Sequence, residues 1–318
     1  MKKIDVIAIS TSYPFIKKGS IPIALNKLNK KDYLVNLIFD CKSKIKYEST
    51  SIKDRVKQLN KALLSDSDII MALSGGYQVN EILDYIDFEL IKKNKKNFCG
   101  YSDITIFLNA IYKKANIETY LGPNFSTLHQ NNYSKFSIEK FELALSGSEF
   151  EIKPSKKYKK TNGKKQINSG FWCINEGVGK GKIVGGNLCS FNLLQGTKYI
   201  PNLANKILCI EDDNIFLNGK IFYMEFKRNL VSLSQQKNFE KVKGILIGRF
   251  ESSVSKNFQK KDLKFLLNAI PKLKNIPIIA NVDFGHTQPK YTLPIGRYCQ
   301  IISSSKECKI KILSREKY

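Results

Sequence analysis

For a chain of 318 residues this sequence is short of histidine, tryptophan and arginine. It has two histidines, one tryptophan, and five arginines (Arg55, Arg228, Arg249, Arg297 and Arg315) among 53 basic residues. Seven cysteines are scattered with no CxxC pair. With so few histidines there is no zinc-type ligand spacing, and an odd number of thiols set in apolar runs such as ILCIED predicts reduced, buried cysteines rather than a disulfide framework. The net charge of +25 suggests nucleic acid, but arginine, the residue suited to bidentate phosphate and base contacts, is nearly missing. A solvated lysine surface is the simpler reading, with attraction of a small anionic substrate second. No apolar run approaches the roughly 20 residues of a membrane span. The N-terminal run is about six residues long and is interrupted by Asp5, too short and polar for a secretory signal. The expectation is a cytoplasmic protein with no metal, no cofactor, and neither nucleic acid nor membrane as partner.

What is present is a globular composition, 42% hydrophobic and 25% charged, in a chain long enough for two domains. In the first third, IDVIAIS (4–10), YLVNLIF (33–39), DIIMALS (68–74) and NFCGYS (97–102) are buried-strand runs. They alternate with helical periodicity over 21–30, 52–64 and 78–93, where Ile52, Val56, Leu59 and Leu63 share one face. Such alternation predicts a doubly wound parallel α/β sheet, with ligands beyond the carboxyl ends of its strands. Residues 153–168 are polar, basic and aperiodic and read as a linker or flexible loop. Beyond them the pattern is strand-rich, with a helix near 259–270. The expected organisation is therefore 1–152, a linker at 153–168, and a second α/β domain over 169–318.

Four segments could carry chemistry. GYSDIT (100–105) sets Ser102 between a strand and a helix, where an elbow would expose its hydroxyl beside main-chain N–H groups; alternatively Ser102 or Asp103 caps the helix. LSGGYQ (73–78) offers Gly75 and Gly76 for close approach of a ligand to the backbone, or simply a tight turn. KILCIEDDN (206–214) ends a strand on acids, of which Glu211 comes first and is best placed to point inward; a solvated acidic turn is the competing reading. NVDFGHTQPKYTLPIG (281–296) holds His286 on a loop stiffened by two prolines, either as a base or as a structural residue. His129, in a polar loop, has no such setting.

Taken in order, GGY, GYSD, GPNF, GGNL, ILxxED, GILIGRF and DFGHTxPxxTLPIG resemble the LD-carboxypeptidase family of serine peptidases, which includes muramoyl-tetrapeptide carboxypeptidases and microcin C self-immunity peptidases. The resemblance runs from about residue 4 to 313. It implies a nucleophile domain followed by a strand-rich domain, an active site between them, a Ser-Glu-His triad and a homodimer. By position, Ser102 becomes the nucleophile, Glu211 the orienting carboxylate and His286 the general base. The N–H groups of Gly75 or Gly76 and of Asp103 form the oxyanion hole. Tyr77, Asn124 and Asn187, from GGY, GPNF and GGNL, become substrate contacts. The lone Trp172 is a candidate to stack on a nucleobase, or a core aromatic. The N-terminal STSYP (10–14) departs from the APSG that the family often carries. The implied activity is release of terminal D-alanine from muropeptide tetrapeptides. An immunity-type peptidase acting on peptidyl or aminoacyl nucleotides, and a non-catalytic binding protein on the same scaffold, are the alternatives.

Overall fold

The computed structural model describes residues 1–12, 16–39, 49–130, 133–159, 165–212, 219–250 and 259–316. The four apolar runs of the first third become parallel strands β1 (Lys2–Ile7), β2 (Tyr33–Leu37), β3 (Ile69–Ala72) and β4 (Asn97–Gly100), and β5 (Thr119–Leu121), which the sequence reading did not single out, extends the sheet. Near-continuous hydrophobicity suits strands covered on both faces, and β3 is buried at every position. Helices α1 (Ser20–Asn29), α2 (Ile52–Leu64), α3 (Phe88–Asn94), α4 (Thr105–Ala115) and α5 (Ser134–Ser146) alternate with or follow these strands. The expected helix over 78–93 is instead a 3₁₀ segment, Val79–Tyr85, followed by α3. Asp87 explains the break: its side chain accepts from the Leu90 N–H at 2.8 Å and starts a new helix.

The second half contributes β6 (Phe150–Ile152), β7 (Lys157–Lys159), β8 (Lys165–Ile167), β9 (Trp172–Asn175), β10 (Gly177–Asn187), β11 (Lys206–Glu211), β12 (Gly244–Gly248), β13 (Ile278–Val282), β14 (Leu293–Ile295), β15 (Tyr298–Ser303) and β16 (Cys308–Ile312). With them come α6 (Leu188–Asn192), α7 (Gly219–Ser234) and α8 (Lys260–Asn268). The helix α7 has no counterpart in the sequence reading. The first sheet runs β14-β5-β4-β3-β1-β2 and the second β6-β16-β15-β10-β11-β12-β13-β9. Thus β14 closes the edge of the first sheet, antiparallel to β5, while β6 joins the second beside β16. The buried apolar residues of both sheets form one continuous cluster. Residues 153–168, expected as linker or flexible loop, carry the β7–β8 hairpin; 160–164 lie outside the described residues.

Chain direction reverses in order between β1 and β3, so the switch point of the first sheet lies at the carboxyl ends of those two strands. The segments leaving β1, β3 and β4 are Ala8–Ser12, Leu73–Gln78 and Tyr101–Ile104. Of the cysteines, Cys99, Cys173, Cys209 and Cys299 are buried as expected, whereas Cys189 on α6 is exposed; Cys41 lies outside the described residues.

Candidate active site

The turn after β4 is built by backbone geometry. Ser102 has φ 65°, in the left-handed region that non-glycine residues rarely occupy, at a cost of about 1–3 kcal/mol that the surroundings must offset. They do so from two sides. Asn124 Oδ1 accepts from the Tyr101 N–H at 3.1 Å and its Nδ2 donates to the Tyr101 carbonyl at 3.3 Å, so one buried amide grips the peptide ahead of Ser102. Gly75 lies against the serine itself: a Cβ there would stand 2.8 Å from Ser102 Cβ and 3.0 Å from its Oγ. Only glycine lets the loop after β3 approach this closely. Neither Ser102 nor Asp103 caps the helix that follows through its side chain, which removes the simpler reading of GYSD.

The Asp103 side chain instead turns back and ties three segments together. Its Oδ2 accepts from Ser10 Oγ at 2.6 Å and from the Val79 N–H at 3.0 Å. Burial pushes this carboxyl above its ordinary range, opposed by the hydrogen bonds from Ser10, Val79 and Gln78 and by the charge of Arg55. Arg55, itself buried on α2, donates to the Gln78 carbonyl at 2.8 Å and pairs with Glu81. The Thr11 N–H donates to the Gly75 carbonyl at 3.2 Å. Ser10 and Thr11 therefore brace the glycine loop, a task that sequence reasoning did not assign. The signal available was their position: they leave β1 at the switch point.

The other side of the site comes from the second sheet. Glu211 ends β11, 1% exposed, and its Oε2 lies 2.8 Å from His286 Nδ1. It is not a solvated acidic turn. Gly285 makes the contact possible: it has φ 93°, and a Cβ there would stand 2.6 Å from Glu211 Oε2. A carboxylate at Nδ1 favours the tautomer with hydrogen on Nδ1, leaving Nε2 as the basic nitrogen. His286 also meets Tyr101 edge-to-face, centroids 5.0 Å apart, so the residue before Ser102 touches the imidazole ring. The buried Lys290 ammonium lies 3.7 Å from the centroid of the same tyrosine ring.

The remaining sequence candidates divide. Asn187, at the end of β10, sits opposite Glu211 in the ladder; its N–H donates to Thr105 Oγ1 at 2.9 Å and its Oδ1 accepts from the Ser190 N–H at 3.0 Å, capping α6. Asn124 is buried beneath Tyr101. Tyr77, next to Gly76, is 66% exposed. Trp172 is half-buried on edge strand β9 opposite Ala280, with its indole N–H donating to Ser169 Oγ at 2.9 Å. His129 is occupied locally, its Nδ1 2.6 Å from the Ser126 carbonyl. No group of His, Cys, Asp and Glu side chains suited to a metal ion occurs among the described residues, and none of their helices is long and apolar enough to cross a membrane.

The left-handed turn of Ser102 thus follows a tyrosine whose ring meets the carboxylate-bound His286 imidazole brought in by the second sheet. Residues 4–122 match the LD-carboxypeptidase N-terminal domain and residues 180–301 its C-terminal domain. A putative carboxypeptidase of Bacillus subtilis, YocD, is 36% identical over 98% of this chain and 96% of its own. The microcin C7 self-immunity protein MccF of Escherichia coli is 29% identical over 85% and 82% of the two chains. A crystal structure of an MccF-like protein from Bacillus anthracis superposes with a TM-score of 0.94, at 37% identity, covering 99% of this chain and 97% of that one. The chain belongs to the LD-carboxypeptidase family and is an enzyme of the serine-type carboxypeptidase class.

Proposed function

We propose that the protein hydrolyses an amide bond formed by the carboxyl group of an amino acid or short peptide, with Ser102 as nucleophile, His286 as general base and then acid, and Glu211 as the carboxylate that orients it. The observation that carries this reading is the Glu211–His286 hydrogen bond, delivered by the second sheet to the ring of the residue preceding the strained Ser102. In the reaction His286 Nε2 takes the Ser102 proton as Oγ attacks the carbonyl. The N–H groups of Gly75 or Gly76 and of Asp103 receive the oxyanion; the amine leaves with the proton from His286. Water, activated by the same imidazole, then cleaves the acyl-enzyme. Each half-reaction consumes and returns one proton, so no cofactor is required. We assign the protein to the cytoplasm as a homodimer, in keeping with a small peptide substrate.

For the substrate, two readings stand. Release of D-alanine from a muropeptide tetrapeptide is the family's recycling chemistry, and a probable murein peptide carboxypeptidase of B. subtilis is 24% identical. Cleavage of an aminoacyl nucleotide is favoured by the higher identity to the E. coli self-immunity protein, which has been crystallised with aspartyl sulfamoyl adenosine, and by Trp172, an indole edge beside the 153–168 segment. We place the aminoacyl nucleotide first on those grounds. Purified enzyme, offered both a tetrapeptide and aspartyl sulfamoyl adenosine, should release aspartate from the second faster than D-alanine from the first. The reverse order restores the recycling role. Ser102→Ala should lower kcat on the preferred substrate by about 10⁴-fold or more; a variant retaining most activity removes Ser102 as nucleophile.

A further inference from the structure

The loop that presents His286 is tied at both ends to charged and polar groups that take no part in the chemistry above. Arg249, just past β12, is 5% exposed, and Asp283 is fully buried; Arg249 Nη2 lies 2.5 Å from Asp283 Oδ1. The same guanidinium donates through Nε to Asn281 Oδ1 at 2.9 Å and through Nη1 to Thr287 Oγ1 at 3.5 Å. Asp283 and Thr287 are the residues between which Phe284, Gly285 and His286 arch toward Glu211. A second set of bonds repeats the pattern from the hairpin. The Ser155 N–H and hydroxyl donate to the Asp283 carboxylate at 2.6 and 3.1 Å. Lys159 and Gln288 exchange backbone hydrogen bonds of 2.7 and 2.8 Å. Tyr158, between these two anchors, stacks on the guanidinium, 4.4 Å from ring centroid to Cζ.

A buried ion pair gains little net stability over well-packed apolar side chains, because desolvation of both charges offsets their attraction. Its consequence is geometric: a planar fork with five N–H donors fixes several acceptors relative to one another, which an ammonium cannot do. Here the acceptors are the two feet of the histidine arch. We infer that Arg249 is a positioning residue for His286, acting through Asp283 and Thr287, with the β7–β8 hairpin as the outer half of the same clamp. The inference rests on the reading of His286 as general base.

A base displaced by about an ångström loses on the order of 100-fold in rate. Arg249→Ala should therefore lower kcat by about 100-fold with KM within about twofold of wild type. Arg249→Lys keeps the charge opposite Asp283 but not the fork, and should fall between the two. Ser155→Ala, at the half-buried outer clamp, removes one hydroxyl and should lower kcat by about fivefold; it and the lysine variant decide the matter should Arg249→Ala fail to fold. The rate of Ser102 labelling by a fluorophosphonate probe should drop in the same order, since that reaction also needs the base. Folded Arg249→Lys and Ser155→Ala variants with wild-type kcat and labelling rate would overturn the inference, as would a loss confined to KM. The parent reading fails separately: if Ser102→Ala keeps its activity, or the wild-type protein is not labelled, the site assignment goes, whatever the clamp variants do.

Discussion

Ser102 and His286 reach the site on turns of opposite construction. The turn we propose for the nucleophile is held by main-chain geometry and one amide: a left-handed residue, a glycine packed on it, and Asn124 gripping the peptide of Tyr101 from both sides. The nearest carboxyl, Asp103, is fixed by a hydroxyl and an N–H, with burial keeping its proton affinity high. The base turn is held by charges, Glu211 on one side of the arch and the Arg249–Asp283 pair on the other. The difference follows from what each group has to do. A serine must be presented at a fixed angle and gains from rigid backbone; an imidazole must pass through a cationic state, and a carboxylate beside it stabilises that state.

The sharpest way to break this contrast is to remove charge from the base side while keeping shape. Glu211→Gln retains volume and one hydrogen bond, but its amide can donate to Nδ1 and so hold the wrong tautomer, with Nε2 protonated. We expect kcat to fall by about 10³–10⁴-fold with little change in KM, measured on whichever substrate wild type prefers. A loss below tenfold would mean that His286 does not depend on Glu211 for its tautomer.

The nucleophile side should respond in stability as much as in rate. Asn124→Ala leaves the Tyr101 N–H and carbonyl buried without their amide partner, which costs about 1–3 kcal/mol. Chemical denaturation should show that loss, together with a lower kcat. Unchanged stability would show that water replaces the amide and that the turn holds itself.

Much of this contrast could be read from the chain. The apolar runs gave β1, β3 and β4 their places because strands buried on both faces need little else, whereas β2 lies at the sheet edge with Leu34 and Leu37 exposed; α2 spans the expected 52–64. The ordered motifs point to Ser102, Glu211 and His286. What stayed hidden depended on contacts between remote segments. Arg55 lies within a helix whose apolar periodicity is plain, yet its guanidinium is buried because Gln78 and Glu81, from the segment that follows β3, come to it. The β7–β8 pair has no hydrophobic alternation, since Ser155, Tyr158 and Lys159 beside and within it are held by Asp283, Arg249 and Gln288 rather than by a core of their own. Ser10 and Thr11 look like ordinary strand-end residues until Asp103 and Gly75 are placed beside them.

The smallest effect expected concerns pH, and it tests whether the nucleophile side is as indifferent to charge as its construction implies. Because burial raises the Asp103 carboxyl above its unfolded value, the folded state holds that proton more tightly than the unfolded chain does. Its contribution to stability is therefore complete below the ordinary aspartate pKa of about 3.9 and is lost as pH rises through the folded value. Asp103→Asn removes this titration while an amide oxygen remains to accept from Ser10 or Val79. Melting temperatures followed from about pH 4 upward should fall for wild type relative to the variant across that window and run parallel above it. Parallel curves throughout would show that Asp103 gains as much from its hydrogen bonds as burial takes from it. The contrast between the two sides would then narrow to backbone alone.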